Sequence, residues 1–338
     1  MLSKTTWHTI ILSRLVGIID YPLYRAQTPN VIVLSRLFGV KSIDLRIPSS
    51  LSADNPSIIP TASGWMAIVR AHNWITSCCG RFIGFHGSDL HNENWLLTLN
   101  NDLEVIERLK LCDLSDYTTT TDEHPARNGI EDARLSEIDG DVYLTGSAYN
   151  TVTGSCTMTR ARVVGDRLAD VTFLRSPFQC AQEKNWMPVD IDGVMNAIYR
   201  VSPFCLLRLE GEAKVVIEST GKPHLRVYNG SSQLVPFGEG WLCLLHRRIN
   251  VTRRSFRSRK NSVSGIFYVH RFIHFDRSWE IVSESGDFFF EKRGLEFCAG
   301  LARKGDRFVV SYGLNASAAK LMELCKFQIE SLLSDPAQ

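Results

Sequence analysis

Gly64-Trp65-Met66-Ala67-Ile68-Val69-Arg70 is a glycine turn followed by a short β-prone run, and the same arrangement returns four more times. It recurs as Gly140-Asp141-Val142-Tyr143-Leu144-Thr145, as Gly193-Val194-Met195-Asn196-Ala197-Ile198-Tyr199-Arg200, as Gly240-Trp241-Leu242-Cys243-Leu244-Leu245-His246-Arg247, and as Gly305-Asp306-Arg307-Phe308-Val309-Val310-Ser311-Tyr312. Ahead of each glycine a polar cluster opens another short strand: Asn55-Pro56-Ser57, Glu131-Asp132, Lys184-Asn185, Ser231-Ser232 and Glu296-Phe297. Each unit therefore reads as strand, glycine turn, strand, which is a hairpin. A lone hairpin cannot bury its faces, so such units stack radially around an axis. Their unequal spacing suits four-stranded blades with variable loops. The pattern predicts an all-β fold: a five-bladed β-propeller with a C-terminal helix over residues 46–338, after an N-terminal extension over 1–45. The innermost strands would start near a central channel, so the polar clusters converge on one funnel.

Helical spacing is confined to the end of the chain. Ala318, Leu321, Met322, Cys325, Ile329 and Leu332 fit a terminal helix over 317–333, capped by Asn315 or Ser317. Residues 31–34 read as a strand able to close the ring. The 338 residues are 44% hydrophobic and carry 38 Lys plus Arg against 36 Asp plus Glu, a net charge of +2. That balance gives no footing for a nucleic-acid or membrane-surface role. The apolar run 10–19 is interrupted by Arg14 and is too short to span a bilayer, and no cleavage site follows it. The expectation is a cytoplasmic protein with no membrane span. Nine scattered cysteines without a Cys-x-x-Cys pair fit reduced thiols better than a zinc site, and no metal or cofactor is expected. Glycine fingerprints for nucleotides, zinc-protease helices and serine-hydrolase elbows are missing where they would carry meaning.

Four groups of residues could carry chemistry. Glu131 and Asp132 are adjacent on a strand, so one is expected to face the channel while the other pairs with Arg134 or a neighbouring blade. A channel carboxylate serves as a general acid if burial raises its pKa; the plainer reading is a structural ion pair. Lys184-Asn185-Trp186 places a cation beside an aromatic, which suits sugar stacking with anion binding, or a blade-packing Trp with a solvated Lys. Arg200, His246, Arg247, His270 and Arg271 would make an anion site if they converge. The run from Arg247 to Lys260 reads as a solvated basic loop, or as a lid over a phosphorylated sugar. Trp65, Trp95, Trp186, Trp241 and Phe288 to Phe290 are core candidates.

The order of several short motifs resembles the five-bladed family of inverting β-mannoside phosphorylases and hydrolases, and the mannosyltransferases that share its fold. The pieces are Asn55-Pro56-Ser57-Ile58, Gly129-Ile130-Glu131-Asp132-Ala133-Arg134, Glu183-Lys184-Asn185, Trp241-Leu242-Cys243-Leu244-Leu245-His246 and Ser311-Tyr312-Gly313. The resemblance implies Asp132 as the general acid. It implies a sugar site including Asn55, Arg70, Glu131, Arg134, Asn185, Trp186, Tyr312 and Asn315. It implies a phosphate or anion site of Lys184, Arg200, His246 and Arg247. Hydrolase members need a second carboxylate to activate water, for which Glu296 is the candidate. The sequence departs from the family pattern at Ala133, where a proline is usual, and at Ala316, where an aspartate contacting the sugar is expected. The function expected is an inverting glycoside phosphorylase or glycosyltransferase on a mannoside-like glycan, with phosphate or a sugar nucleotide as co-substrate. A hydrolase of the same fold, a non-catalytic glycan-binding propeller and a protein-interaction propeller are the rivals. The test among them is whether Asp132, Lys184 and His246 share a funnel.

Overall fold

The computed structural model describes residues 31–76, 82–86, 91–111, 129–150, 154–254 and 261–334. Among them the chain is mostly β, in a propeller-like arrangement with a C-terminal helix. Four sheets are four-stranded antiparallel blades. The first is Ser52–Thr61, Gly64–His72, Asn92–Leu99 and Val105–Lys110. The second is Glu131–Ile138, Asp141–Asn150, Ser155–Val164 and Arg167–Leu174. The third is Met187–Ile191, Val194–Val201, Phe204–Glu210 and Glu212–Ser219. The closing blade is Glu296–Lys304, Arg307–Leu314, Ala318–Cys325 and, from the start of the chain, Ser42–Leu45. The fourth expected unit lies instead in a seven-stranded sheet built on the long hairpin Gly240–Arg254 and Asn261–Phe275.

The repeated glycine has two physical reasons. Asp139-Gly140 and Asp192-Gly193 form two-residue turns in which both residues have positive φ (51° and 80°, 53° and 76°). This backbone matches the strand twist and favours Asp-Gly. Gly64, in contrast, sits where a Cβ would lie 2.9 Å from the carbonyl carbon of Asn100.

Two expectations about the ends are corrected. Residues 32–33 do form a strand, but it pairs in parallel with Phe288–Phe289; the strand that joins the two ends is Ser42–Leu45, antiparallel to Ala318–Cys325. The extension expected over 1–45 is therefore part of the sheets from residue 32 onward; residues 1–30 lie outside the described chain. The terminal helix is Lys326–Ser334 and buries Ile329 and Leu332, while residues 318–325, expected as its first half, are a strand. No described helix is long and apolar enough to cross a membrane. The six described cysteines are free thiols; Cys78, Cys79 and Cys112 lie outside the described residues.

The inner strands are stitched across the axis by polar side chains. Gln233 donates to the Ile58 carbonyl (2.6 Å) and accepts from the Leu301 amide (3.3 Å); Ser57 Oγ accepts from the Leu135 amide (3.0 Å); Ser311 Oγ donates to the Pro56 carbonyl (2.6 Å). Each satisfies a backbone group that the ladder leaves open, so the inner ends are held in a fixed relation.

Candidate active site

The inner strands begin with breaks in the β alternation. Register shifts between Asp54 and Ser57, and opposite Glu131 between Thr145 and Ser147. Asn55, Asp132 and Asn185 take positive φ of 42°, 48° and 62°. Asn and Asp tolerate this left-handed region best among residues with a side chain. The consequence corrects the expected opposition of Glu131 and Asp132: at a bulge the period of two fails, and both carboxylates reach Arg70. Arg70 Nη2 lies 3.1 Å from Glu131 Oε1 and Nη1 lies 3.2 Å from Asp132 Oδ1. Arg70 is itself fixed by Asn92, which accepts from Nε at 2.9 Å. Asp132 also accepts from Asn55 Nδ2 at 2.7 Å, and its side chain keeps 23% exposure.

These groups form the floor of a cavity of about 520 Å³, within the range of small-ligand sites. Asp132, Lys184 and His246 all line it, as do Asn55, Arg70 and Glu131. Asn185 is also in its wall. Asp54 is a floor carboxylate that the sequence reading passed over, although it adjoins the chosen Asn55. It faces His72 Nε2 at 3.5 Å, and its Oδ1 and the Asn55 Oδ1 are buried with no hydrogen-bond partner among the described residues. Gly313 makes room for both, since a Cβ there would lie 2.8 Å from the Asn55 nitrogen.

Charge in the cavity differs from the positive wall expected. Burial pushes the Asp132 carboxyl up, but Arg70, the Asn55 amide, Arg134 and Lys184 together outweigh it, and its pKa falls below the ordinary value. Asp132 is thus a carboxylate at neutral pH, not the proton-bearing acid that burial alone would give. His246 is driven down to about 3 by burial and by Arg134, so its imidazole is neutral. Its Nδ1 is 2.9 Å from Ser231 Oγ, and its ring sits edge-on to Tyr268 and Phe297. The described lining then holds three acids, Asp54, Glu131 and Asp132, against two cations, Arg70 and Lys184. Lys184 has no ion-pair partner among the described residues.

The other expected site residues lie elsewhere. Arg134 is 1% exposed and acts as a brace: it donates to the carbonyls of Ser231 and Asp132 and to Asn185 Oδ1. Trp186 is wholly buried, with Nε1 donating to Glu183 Oε2 at 3.1 Å. Tyr312 is wholly buried and stacked on Phe290. Asn315 contributes backbone only, its amide to Leu295 and its carbonyl to Thr76, whereas its neighbour Ala316 does line the cavity. Of the five basic candidates only His246 faces inward. Arg200 pairs with Glu218, Arg247 with Asp287, and Arg271 with Glu284 and Asp287. His270 is buried, its Nε2 accepting from the Cys298 amide. Strand alternation explains this, because Arg247 and Arg271 follow His246 and His270 and so point to the opposite face. Glu296 is also structural: its carboxylate accepts the amides of Phe290, Glu291 and Lys292 at 2.6–2.9 Å. Residues 255–260 of the basic run lie outside the described residues.

Two apolar walls were also missed. One comes from the short hairpin Trp74–Thr76 and Phe82–Phe85 inserted in the first blade, the other from Ile266, Tyr268, Leu295 and Phe297. The hairpin follows no repeat, which is why the pattern did not reveal it.

No family model matches the sequence, and no curated protein sequence matches it. Solved structures do. A β-1,2-mannobiose phosphorylase from Listeria innocua superposes with a TM-score of 0.56 at 12% identity, over 91% of this chain and 100% of that one. MPT-4, a mannose phosphorylase from Leishmania mexicana determined with a phosphate ion, gives 0.55 at 13% over 93% and 97%. A structure described under the GH130 family of mannoside phosphorylases and of hydrolases of β-1,2-mannosidic linkages gives 0.57 at 13% over 82% and 85%. At these identities the likeness is one of fold.

Proposed function

We propose that this chain is a carbohydrate-active enzyme of the mannoside phosphorylase and hydrolase type, with Asp132 as its proton-transfer group. The observation that carries the reading is the Asp132 carboxylate: bent inward by a left-handed backbone, held by Arg70 and Asn55, and still partly open to a cavity of ligand size. The fold shared with mannoside-active neighbours supports the substrate class. The seven-stranded sheet is read as the fifth blade, since it lies between the third and closing blades in the chain and supplies Gln233 to the axis.

Among the possible reactions we read glycosyl transfer to a hydroxyl ahead of phosphorolysis. An Asp132 held ionised is ready to take the proton of an attacking acceptor hydroxyl. By microscopic reversibility the same group returns the proton to the glycosidic oxygen when the bond is cleaved. Attack from the face opposite the leaving group inverts the anomeric carbon. Phosphorolysis calls for several cations on one phosphate, and among the described residues Arg70 is shared by two carboxylates, His246 is neutral and Lys184 stands alone. Lys184 is left to meet a donor phosphate. In this reading Asn55, Asn185 and Asp54 bind sugar hydroxyls.

The test is a product screen. β-1,2-Mannobiose and other mannosides are incubated with and without phosphate, and sugar nucleotides with mannose acceptors, following phosphate, nucleotide and reducing-sugar release. Transfer that stops in Asp132→Asn supports the proposal. Sugar binding without turnover in any mixture would leave a glycan-binding propeller instead.

A further inference from the structure

The cavity is two-sided in its chemistry. Its floor presents Asp54, Asn55, Asp132 and Lys184, while its outer walls present Phe82, Phe85, Ile266, Tyr268, Leu295 and Phe297, with Ala316 beside them. Apart from the Tyr149 and Tyr268 phenols, the described outer side has few groups for a hydroxyl. The Thr76 hydroxyl donates to the Asn315 carbonyl at 3.3 Å, and the Trp74 ring is covered by the Arg70 guanidinium 4.3 Å from its centroid. A second sugar ring placed there would find few protein partners for its hydroxyls, and each one buried without a partner would cost free energy. Ile266 and Leu295 are aliphatic and offer no ring face at all. Phe82 is 51% exposed at this wall, apolar surface that a ligand would cover.

We infer that the ligand carries an apolar aglycone: the mannosyl ring sits on the polar floor, and an alkyl or aryl group on its anomeric oxygen lies between Phe82 and Phe85 on one side and Ile266, Leu295 and Phe297 on the other. This rests on the mannoside reading above and narrows it to a glycolipid-like or aryl glycoside.

The experiment is calorimetric titration of the full chain with methyl β-D-mannoside, hexyl β-D-mannoside and hexyl β-D-glucoside. Burying several methylenes is expected to make the hexyl mannoside bind at least about tenfold tighter than the methyl mannoside. The hexyl glucoside should bind well below the hexyl mannoside. Phe82→Ala, at a half-exposed position, should cut the hexyl-over-methyl ratio at least about threefold while the thermal midpoint shows that the fold persists. Equal binding of the two mannosides would overturn the aglycone inference and leave the mannoside reading standing. Equal binding of the two hexyl glycosides would show that the chain alone is recognised, which also overturns it. Binding of none of the three would remove the mannoside reading and this inference together.

Discussion

Asn55 Nδ2 lies 2.7 Å from Asp132 Oδ1, and both residues hold left-handed backbones, at φ 42° and 48°. Two inner strands from different blades are thus bent toward each other and joined at their tips. Asn55→Ala removes the amide and puts a less tolerant residue at positive φ, whereas Asn55→Gly removes the amide alone. The alanine variant is expected to lose about 1–3 kcal/mol and the glycine variant less. In both, the Asp132 pKa should rise, since a donor to its charged form is gone. Urea denaturation and carboxyl NMR titration measure the two effects. An unmoved Asp132 would mean that Arg70 alone fixes its charge.

Asp132→Asn keeps a side chain that accepts a left-handed backbone and can still accept from Asn55 and Arg70. The fold should therefore persist while turnover falls at least about 100-fold, the scale of a lost general acid–base group. The readouts are the product assay and the thermal midpoint. A variant as active as the wild type would take proton transfer away from Asp132.

Arg134 was expected at the sugar site but spans the second blade, Ser231 and Asn185 from a buried position. Removing a buried guanidinium leaves several acceptors unpaired, so Arg134→Ala should destabilise by about 3–5 kcal/mol. Arg134→Lys should recover little, because one ammonium on a flexible stem cannot reproduce the fork. A variant that folds normally and shows only a raised KM would return Arg134 to the sugar site.

The hairpin units and the polar clusters at their starts were legible because both are local: Asp-Gly turns and strand alternation span a few residues. Long-range pairing was not, so the union of Ser42–Leu45 with Ala318–Cys325 could not be read. Nor could the state of residues 318–325, where Ala318, Leu321, Met322 and Cys325 share a helix face while Ala319, Leu321, Met322 and Leu324 are the ones the strand buries. At the site, Asp132, Lys184 and His246 followed from their positions at strand starts and ends. The inward turn of Glu131 beside Asp132 did not, because a bulge suspends the alternation on which the expectation stood. Trp186 looked like a stacking ring beside Lys184, yet Glu183 three residues earlier takes its N–H and holds it in the core.

Asp132 and Glu296 should give opposite pH dependences of stability. The Asp132 pKa is lowered on folding, so its contribution is present above the unfolded value near 3.8 and is lost as pH falls through the folded one. Burial raises Glu296 to about 7 despite its three amide donors, from a usual 4.5. Its contribution is full below the unfolded value and is lost as pH rises through about 7. From about pH 5 to about pH 8 the wild type should therefore lose up to about 3 kcal/mol relative to Glu296→Gln. The difference from Asp132→Asn should stay flat over that window and shrink below about pH 4. Urea unfolding of the three proteins across the pH series measures both. A flat difference for Glu296→Gln would mean that the amides of Phe290, Glu291 and Lys292 hold the carboxylate charged throughout, as donors to a charged group can.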